Sequence, residues 1–395
     1  MSLRLGRAQS ARIIATMIAC ATSAILLLLL LLPPQTPIAR LAATSRQAPL
    51  LTSATSSSSP VPWYDPAPAH FYAYAPAVLA NSSDGIGQQW TCHNSTANVF
   101  HDAIWSTTYS SSGAMLTDAE TFHTGASGTW DSSNVCDPAI LQGSFKYGAT
   151  MYSYALFFTG NNRADANGNQ IGVAFATSLA GPWISYPSPV ITYSGSAWGA
   201  GQPSATSVSV NTQNGTDELL LFYTYNDGTS GSVGRRADLV WSNSSGSFSV
   251  SSDSALPTAG LLDLGGSPTS ALANMDVAYN PADNDFYTAM DAWPLPSDAP
   301  DYLAVAVQVY RISAHDVWTG DSSADGGWVL LATLDSSLTG APRNHNAGLL
   351  ETGYGQIPAG TTALTVLLTT APAPWCVGSR VEWCYTLYET SVSLT

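Results

Sequence analysis

One acidic residue stands where an apolar strand is predicted to begin. In the stretch NVCDPAILQG, Asp137 and Pro138 directly precede an apolar run. A carboxyl group delivered to a cavity by such a strand can carry out acid or base chemistry. An Asp before Pro is also restricted to extended backbone and caps turns well. The stretch therefore predicts two roles for Asp137, as a catalytic carboxylate and as a turn residue.

Other chemistries lack the motifs they require. The sequence contains no G-x-S-x-G elbow, no H-E-x-x-H and no G-x-x-x-x-G-K-[ST], which argues against a serine esterase, a zincin and a nucleotide hydrolase. Its net charge of −15 would repel phosphate backbones, and Lys146 is its single lysine. We therefore expect no nucleic-acid partner.

The N-terminus predicts export. Arg4, Arg7 and Arg12 precede an apolar run at 13–32, which has about the ~20 residues that a membrane-spanning helix needs. The run is either a retained membrane anchor or a cleaved signal peptide, because signal h-regions are usually ~7–15 residues. The segment at 33–69, rich in Pro, Ser and Thr, is predicted to be a linker. The globular domain is then 70–395, extracellular or at the cell surface, touching a membrane only through the N-terminal segment.

The cysteines fit that compartment. Apart from Cys20 in the apolar run, the chain has Cys92, Cys136, Cys376 and Cys384. An even number in an exported chain predicts two disulfides, although the sequence allows three connectivities. We favour Cys92 with Cys136 and Cys376 with Cys384. A metal site is disfavoured, because no C-x-x-C is present and no histidine lies beside these residues at ligand spacing.

The pattern of apolar residues predicts an all-β domain. Short apolar runs such as MYSYALFFTG, IGVAFATS and ELLLFYTYN alternate with clusters of Gly, Pro, Asn, Asp and Ser. The runs fall into five similar units that begin near residues 75, 137, 202, 276 and 346, about 60 to 75 residues apart. With about four strands in each unit, the sequence predicts a five-bladed β-propeller with four-stranded antiparallel blades.

The motifs CDPAI, GVAFATS-x-x-GPW and GQPSA, in this order, resemble the five-bladed β-propeller glycoside hydrolases, with family 43 as the nearest group. The resemblance covers about residues 70–395. It implies a funnel on the propeller axis with three carboxyl groups: an Asp as general base, a second Asp that tunes the acid, and a Glu as general acid.

Carried over to this chain, the resemblance implies that Asp137 and Asp276 are catalytic. The family's Glu has no evident counterpart, because the corresponding blade start carries Gln202. Asp102 and Glu351 are candidates for the missing acid, and His345 could act as an acid or as a binding group. We predict that substrate contacts come from Gln202, Trp198, His345 and Asn346.

The sequence predicts few bound ions and partners. The stretch DANGNQ at 165–170 alternates oxygen ligands as a calcium loop does, but it lacks the distal Glu and is more typical of a hairpin turn. We therefore predict no metal site and no cofactor, with at most a structural calcium ion there. We expect a monomer that binds carbohydrate.

Two functions remain open at this point. One is an exported glycoside hydrolase that cleaves plant or microbial polysaccharide with inversion, which requires one neutral and one ionised carboxyl group ~6.5–9.5 Å apart. The other is a propeller that binds glycan or a surface partner without catalysis. Gln202 in place of an acid favours the second.

Overall fold

The computed structural model describes most of the domain that follows the N-terminal region. The described residues are 61–64, 72–81, 85–94, 101–163, 165, 167–209, 216–229, 231–298, 300–321, 326–371 and 385–394. The apolar run at 13–32, most of the predicted linker, Cys376 and Cys384 lie outside them. Within the described ranges, no helix is long and apolar enough to cross a membrane.

Twenty described strands form five four-stranded antiparallel blades. Blade one contains β2 (Ala73–Ala80), β3 (Ile86–His93), β4 (Ala103–Tyr109) and β5 (Met115–Phe122). Blade two contains β6 (Asn134–Tyr147), β7 (Thr150–Asn161), β8 (Gln170–Ala176) and β9 (Ile184–Ser185). Blade three contains β10 (Gly199–Ser209), β11 (Thr216–Asn226), β12 (Val233–Ser242) and β13 (Ser247–Ala255).

The last two blades follow the same order. Blade four contains β14 (Asp276–Asn280), β15 (Asp285–Asp291), β16 (Val307–Ser313) and β17 (Val329–Leu334). Blade five contains β18 (Arg343–Glu351), β19 (Ala363–Ala371) and β20 (Thr386–Ser393), and its outermost strand is β1 (Val61–Tyr64). Two short helices in the described part, α1 (Ala314–Thr319) and α2 (Ser336–Thr339), flank β17. The predicted all-β class is confirmed.

The two ends of the domain meet in blade five. β1 pairs antiparallel with β20, with Val61 opposite Glu389. At the other edge of the same blade, β18 runs parallel to β2 of blade one, where Leu350 lies opposite Val78. Strand β1 lies inside the range predicted as linker, so part of that segment is folded and completes a blade.

Apolar side chains fill each interface between neighbouring blades. Phe157 of blade two packs in one cluster with Leu221 and Trp241 of blade three, all almost fully buried. Equivalent clusters join blades three and four, four and five, five and one, and one and two. Because apolar burial is the main favourable term in folding, these five interfaces hold the blades in a closed circle.

Candidate active site

Five residues surround the propeller axis, four of them near the start of an innermost strand and the fifth two residues before β14. We call them the axial ring: Ala75, Asp137, Gln202, Asn274 and Asn346. All five have positive φ, between 40° and 51°. This left-handed region costs an L-residue roughly 1–2 kcal/mol, and strain of this kind clusters at functional sites. The extended backbone expected for Asp137 before Pro138 is wrong, because its φ is 48°.

A side chain from the preceding blade accepts a hydrogen bond from the backbone N–H of every ring residue. We call these acceptors the clasp residues: Thr369, Cys92, Thr159, Thr224 and Asp291. Each lies on the second strand of its blade, opposite the residue before the ring position, as Thr159 lies opposite Cys136. The clasp bonds fix the strained ring backbone and link each blade to the next.

Four of the five predicted blade starts coincide with ring residues. In blade four the strand β14 begins at Asp276, as predicted, but the ring position is Asn274, two residues earlier. In blades one to three a proline directly follows the ring residue, whereas in blade four Asn274 is followed by Met275. Because blade four lacks this proline, the nearby Asp276 was the only residue in the sequence that suggested where its ring position lies.

On one side of the ring lies a cavity of about 1000 Å³, which we call the funnel. Asp137, Gln202, Asn274 and Asn346 of the ring contribute to its floor. Its described walls carry amides, aromatic rings and the carboxyl groups of Asp102, Asp137, Asp165 and Asp291, and no Lys or Arg is among them. Hydrogen-bonding amides and aromatic faces suit a polyhydroxylated ligand.

Asp137 places its carboxyl group at the floor of the funnel. Burial raises its pKa to about 7, hydrogen bonds from Thr159 and the backbone of Gln202 oppose that rise, and the charge of Asp102 adds to it. A carboxyl group with a pKa close to neutrality can take up or release a proton at physiological pH. This is the property that acid–base catalysis requires.

Asp102 is held by two tyrosines in the wall of the funnel. It is 1% exposed, and the hydroxyl groups of Tyr72 and Tyr74 donate to its two carboxyl oxygens, the second at 2.7 Å. Burial, followed by the charge of Asp102, raises the pKa of both phenols well above 10. The phenols therefore remain protonated and act as donors to Asp102.

Asp291, at the end of β15, is a third buried carboxyl group in the funnel. One of its oxygens accepts the N–H of Asn346 at 2.8 Å and the other accepts the side-chain amide of Asn274 at 2.7 Å. Burial raises its pKa to about 8, and these two hydrogen bonds only partly counter the effect. Asp291 is therefore mostly neutral at pH 7.

The structure brings Asp276 and Glu351 together on the opposite side of the ring. Both line a cavity of about 10 Å³, close to the size of one water molecule, and neither is among the residues that line the funnel. The backbone N–H of Leu349 donates to Asp276 at 2.7 Å. Burial raises the pKa of Asp276 to about 6, and burial and the charge of Asp276 raise that of Glu351 well above its usual range. A catalytic role for Asp276 and Glu351 stays a prediction.

The four predicted substrate-binding residues all line the funnel: Gln202, Trp198, His345 and Asn346. The Nδ1 atom of His345 lies 2.5 Å from the Oδ1 atom of Asn346, which only accepts, so Nδ1 carries the hydrogen. Burial lowers the pKa of His345 to about 4. Its buried Nε2 atom has no hydrogen-bond partner among the described residues.

The disulfide Cys92–Cys136 is present as predicted, and Cys136 lines the funnel beside Asp137. The two sulfurs and a carboxyl oxygen of Asp137 lie within 4.8 Å of one another. They are unsuited to a metal ion, because thiolates are the metal ligands and both sulfurs are in the disulfide. Asp165, in the predicted calcium-like stretch, pairs with Arg163 at 2.7 Å in the hairpin between β7 and β8.

Sequence reasoning missed Asp291, Asn274 and the tyrosines around Asp102. Asp291 could have been found by comparing the second strands of the five blades. The second strands end in WTCHN, FFTGN, FYTYN, AMDAW and LLTTA, and aligning these ends places Asp291 in register with Thr159, Thr224, Thr369 and Cys92. The alignment shows an acid where three other blades have threonine.

Comparison with solved structures places this architecture among known enzymes. The chain superposes on a GH43_1 enzyme from Xanthomonas citri complexed with xylotriose with a TM-score of 0.51 and 13% identity, covering 85% of this chain and 91% of the other. The catalytic domain of a GH62 α-L-arabinofuranosidase from Coprinopsis cinerea gives 0.51 and 11%, covering 87% and 98%. The chain has the fold of the five-bladed β-propeller glycoside hydrolases.

A third match extends the likeness to another family. A family 117 glycoside hydrolase from Zobellia galactanivorans gives a TM-score of 0.50 at 10% identity, covering 82% of this chain and 85% of the other. No protein-family model matches the sequence, and no curated protein matches it. At these identities the likeness extends to the fold, so the chemistry has to be argued from the site.

Proposed function

We propose that the protein is an exported glycoside hydrolase that acts in the funnel, with Asp137 as the base that activates water. The observation that carries the proposal is the position of Asp137. Its buried carboxyl group stands on the axial ring at the floor of a cavity of about 1000 Å³, and its pKa is raised to about 7. A water molecule that gives its proton to Asp137 can attack an anomeric carbon bound above the ring.

Asp102 supports that role. Its charge raises the pKa of Asp137, which makes Asp137 the stronger base once it is ionised. Tyr72 and Tyr74 hold Asp102 through both carboxyl oxygens. In this proposal Asp102 positions and tunes Asp137 without contacting the anomeric carbon.

The surface of the funnel favours carbohydrate over other ligands. Gln202 and Asn346 offer amides, His345 offers a neutral acceptor, and Trp198 offers an aromatic face. This combination matches sugar hydroxyls and the apolar faces of sugar rings. Xylotriose and xylose are bound in the similar GH43_1 structures, and a neutral pentose chain is therefore a reasonable first substrate for this chain.

The test is a hydrolysis screen with aryl α-L-arabinofuranosides, β-D-xylosides and β-D-galactosides and with natural polysaccharides. We expect turnover of at least one glycoside, with product of inverted configuration by NMR, and loss of that turnover in Asp137→Asn. Equal turnover in the two proteins would remove Asp137 from the mechanism.

A glycan-binding protein without catalysis is the second candidate. It is favoured by the amides at three ring positions, Gln202, Asn274 and Asn346, which cannot release a proton to a leaving group. If the wild-type protein hydrolyses no glycoside but retains one on a glycan array, this second function replaces the first.

Export is part of the proposal. The disulfide Cys92–Cys136 fits an oxidising compartment outside the cytosol. Fractionation of cells that express the full chain, followed by N-terminal sequencing, would distinguish an anchored protein from a cleaved one. Recovery of intact protein in the cytosol with reduced Cys92 and Cys136 would contradict export.

A further inference from the structure

The clasp residues perform one task with three kinds of side chain. Thr159, Thr224 and Thr369 each accept a ring N–H with a hydroxyl oxygen, at 2.8, 3.0 and 3.3 Å. Cys92 accepts with sulfur at 2.9 Å. Asp291 does so with a carboxyl oxygen at 2.8 Å. A carboxyl group is therefore unnecessary for the clasp bond itself.

A carboxyl group at this position is also unfavourable for folding. Asp291 is 3% exposed, and its two hydrogen-bond donors in the described part of the chain, the N–H of Asn346 and the amide of Asn274, are both uncharged. Burying a carboxylate without a positive partner is costly, so the group stays protonated instead. A threonine at this position could make the clasp bond to Asn346, as threonine does in the clasps of three other blades, without this cost.

The location of Asp291 indicates what the carboxyl group adds. Asp291 lines the funnel together with Asp137, and the two residues belong to blades four and two, on different sides of the axis. Gln202, at the ring position of blade three between them, has an amide that cannot supply a proton. Asp291 is thus a buried acid in the wall of the funnel, two blades away from the proposed base.

We propose that Asp291 is the proton donor of this active site. This inference rests on the proposed hydrolase function. The proton leaves the carboxyl group of Asp291 for the glycosidic oxygen as the bond between that oxygen and the anomeric carbon breaks. Water forms the new bond to the anomeric carbon and gives its proton to Asp137. The products are a reducing sugar and an alcohol, and exchange with solvent returns both carboxyl groups to their starting states.

The raised pKa of Asp291, about 8, agrees with this role, because an acid catalyst has to be protonated at the working pH. Activity should then fall as the pH rises through about 8. Other titratable groups also face the funnel from the described parts of every packed element: Tyr72, Tyr74, Asp102, Asp137, Asp165, Tyr302, His345 and Tyr385. The test therefore has to connect the basic limb of the pH profile to Asp291 itself.

The decisive variant is Asp291→Thr, which installs the clasp side chain of the other blades. We expect it to fold, since a hydroxyl group can accept the N–H of Asn346. With alkyl glycosides, whose leaving group needs a proton, kcat should fall by about 10²–10⁴. With 2,4-dinitrophenyl glycosides, whose leaving group needs none, kcat should change little, and the decline of activity near pH 8 should disappear.

A matched control lies on the same strand. Asp285→Asn removes a carboxyl group from β15 at its other end, where Asp285 pairs with Arg311 at 3.3 Å. It should keep both the leaving-group dependence and the basic limb of the wild-type protein. If Asp291→Thr fails to fold, Asp291→Asn provides the same measurement, because its amide oxygen still accepts the N–H of Asn346.

The outcomes separate the two proposals. Wild-type activity combined with an unchanged leaving-group dependence in both Asp291 variants would overturn the role of Asp291 and leave the hydrolase function standing. Absence of turnover by the wild-type protein with every leaving group would overturn the hydrolase function and the inference with it.

Discussion

The two sides of the axial ring hold similar groups in very different surroundings. Asp137 and Asp291 on the funnel side and Asp276 and Glu351 on the far side all have carboxyl groups whose pKa is raised by burial. The funnel side opens into about 1000 Å³, whereas the cavity shared by Asp276 and Glu351 measures about 10 Å³. Asp276 also lines a cavity of about 30 Å³ at the ring together with Asp137, and neither of these small cavities has room for a sugar ring.

The difference shows that a perturbed pKa by itself does not mark a catalytic group. Burial raises the pKa of a carboxyl group wherever it occurs, at a structural position or at a functional one. Access to a cavity of ligand size, together with a partner across that cavity, separates the funnel pair from the far pair. The following experiments test this distinction.

The largest expected effect is on catalysis at the ring. Asp137→Asn should lower kcat/KM by about 10²–10⁴, because an amide cannot accept the proton of water. Asp276→Asn should retain activity of the same order as the wild-type protein. Steady-state kinetics with one aryl glycoside suffices for both. A comparable loss in Asp276→Asn would abolish the distinction between the two sides and would support a catalytic Asp276.

A smaller effect on activity is expected when a hydrogen bond that holds Asp102 is removed. Tyr74→Phe removes one hydroxyl donor at 2.7 Å, which makes the ionised form of Asp102 less stable. A weaker negative charge beside Asp137 would lower the pKa of Asp137. The acidic limb of the pH profile, expected near 7 in the wild-type protein, should therefore move to lower pH, with kcat reduced by about tenfold. An unchanged acidic limb would contradict the proposed coupling.

A further effect concerns how Asp276, on the far side of the axial ring, makes the stability of the folded protein depend on pH. The pKa of Asp276 is about 6 in the folded protein against 3.8 for an ordinary Asp, so the folded state binds the proton more tightly. Its contribution to stability is complete below about pH 4 and is lost as the pH rises through about 6. Asp276→Asn, which cannot ionise, should therefore gain stability relative to the wild-type protein between pH 4.5 and pH 8, by about 2 kcal/mol.

Urea unfolding at the two pH values measures that difference. The outcome that contradicts it is a larger advantage of the variant at pH 4.5 than at pH 8. An Asp276→Asn protein that is both more stable and still active would show that the carboxyl group of Asp276, unlike that of Asp137, is not needed for catalysis.

Much of the fold was predictable because it depends on local patterns. Alternating apolar residues and turn clusters revealed the strands, and the repeat revealed the blades. The ring position was recognisable where Pro76, Pro138 and Pro203 follow it, and it was misplaced in blade four, where Met275 takes that position. Local patterns do not encode how far a residue lies from the axis, which is why Asp276 was assigned to the same place as Asp137.

The site was less predictable because it depends on contacts between residues that are distant in the sequence. Asp102 lies 28 and 30 residues from the two tyrosines that bind it, and nothing in this spacing predicts that two hydroxyl groups converge on one carboxylate. Asp291 became visible only when the five second strands were compared in register. A catalytic residue that replaces a structural residue at one of five equivalent positions can be recognised only after those positions have been aligned.

The pairing of β1 with β20 has a practical consequence for how the protein is produced and processed. Residues 61–64 supply the outer strand of the blade whose innermost strand carries His345 and Asn346. A protease cut or a truncation that removes them would leave β20 with an open edge, which is the kind of surface from which β-sheet proteins aggregate. A soluble recombinant form should therefore begin before Val61, although composition alone predicts that the whole segment at 33–69 is a dispensable linker.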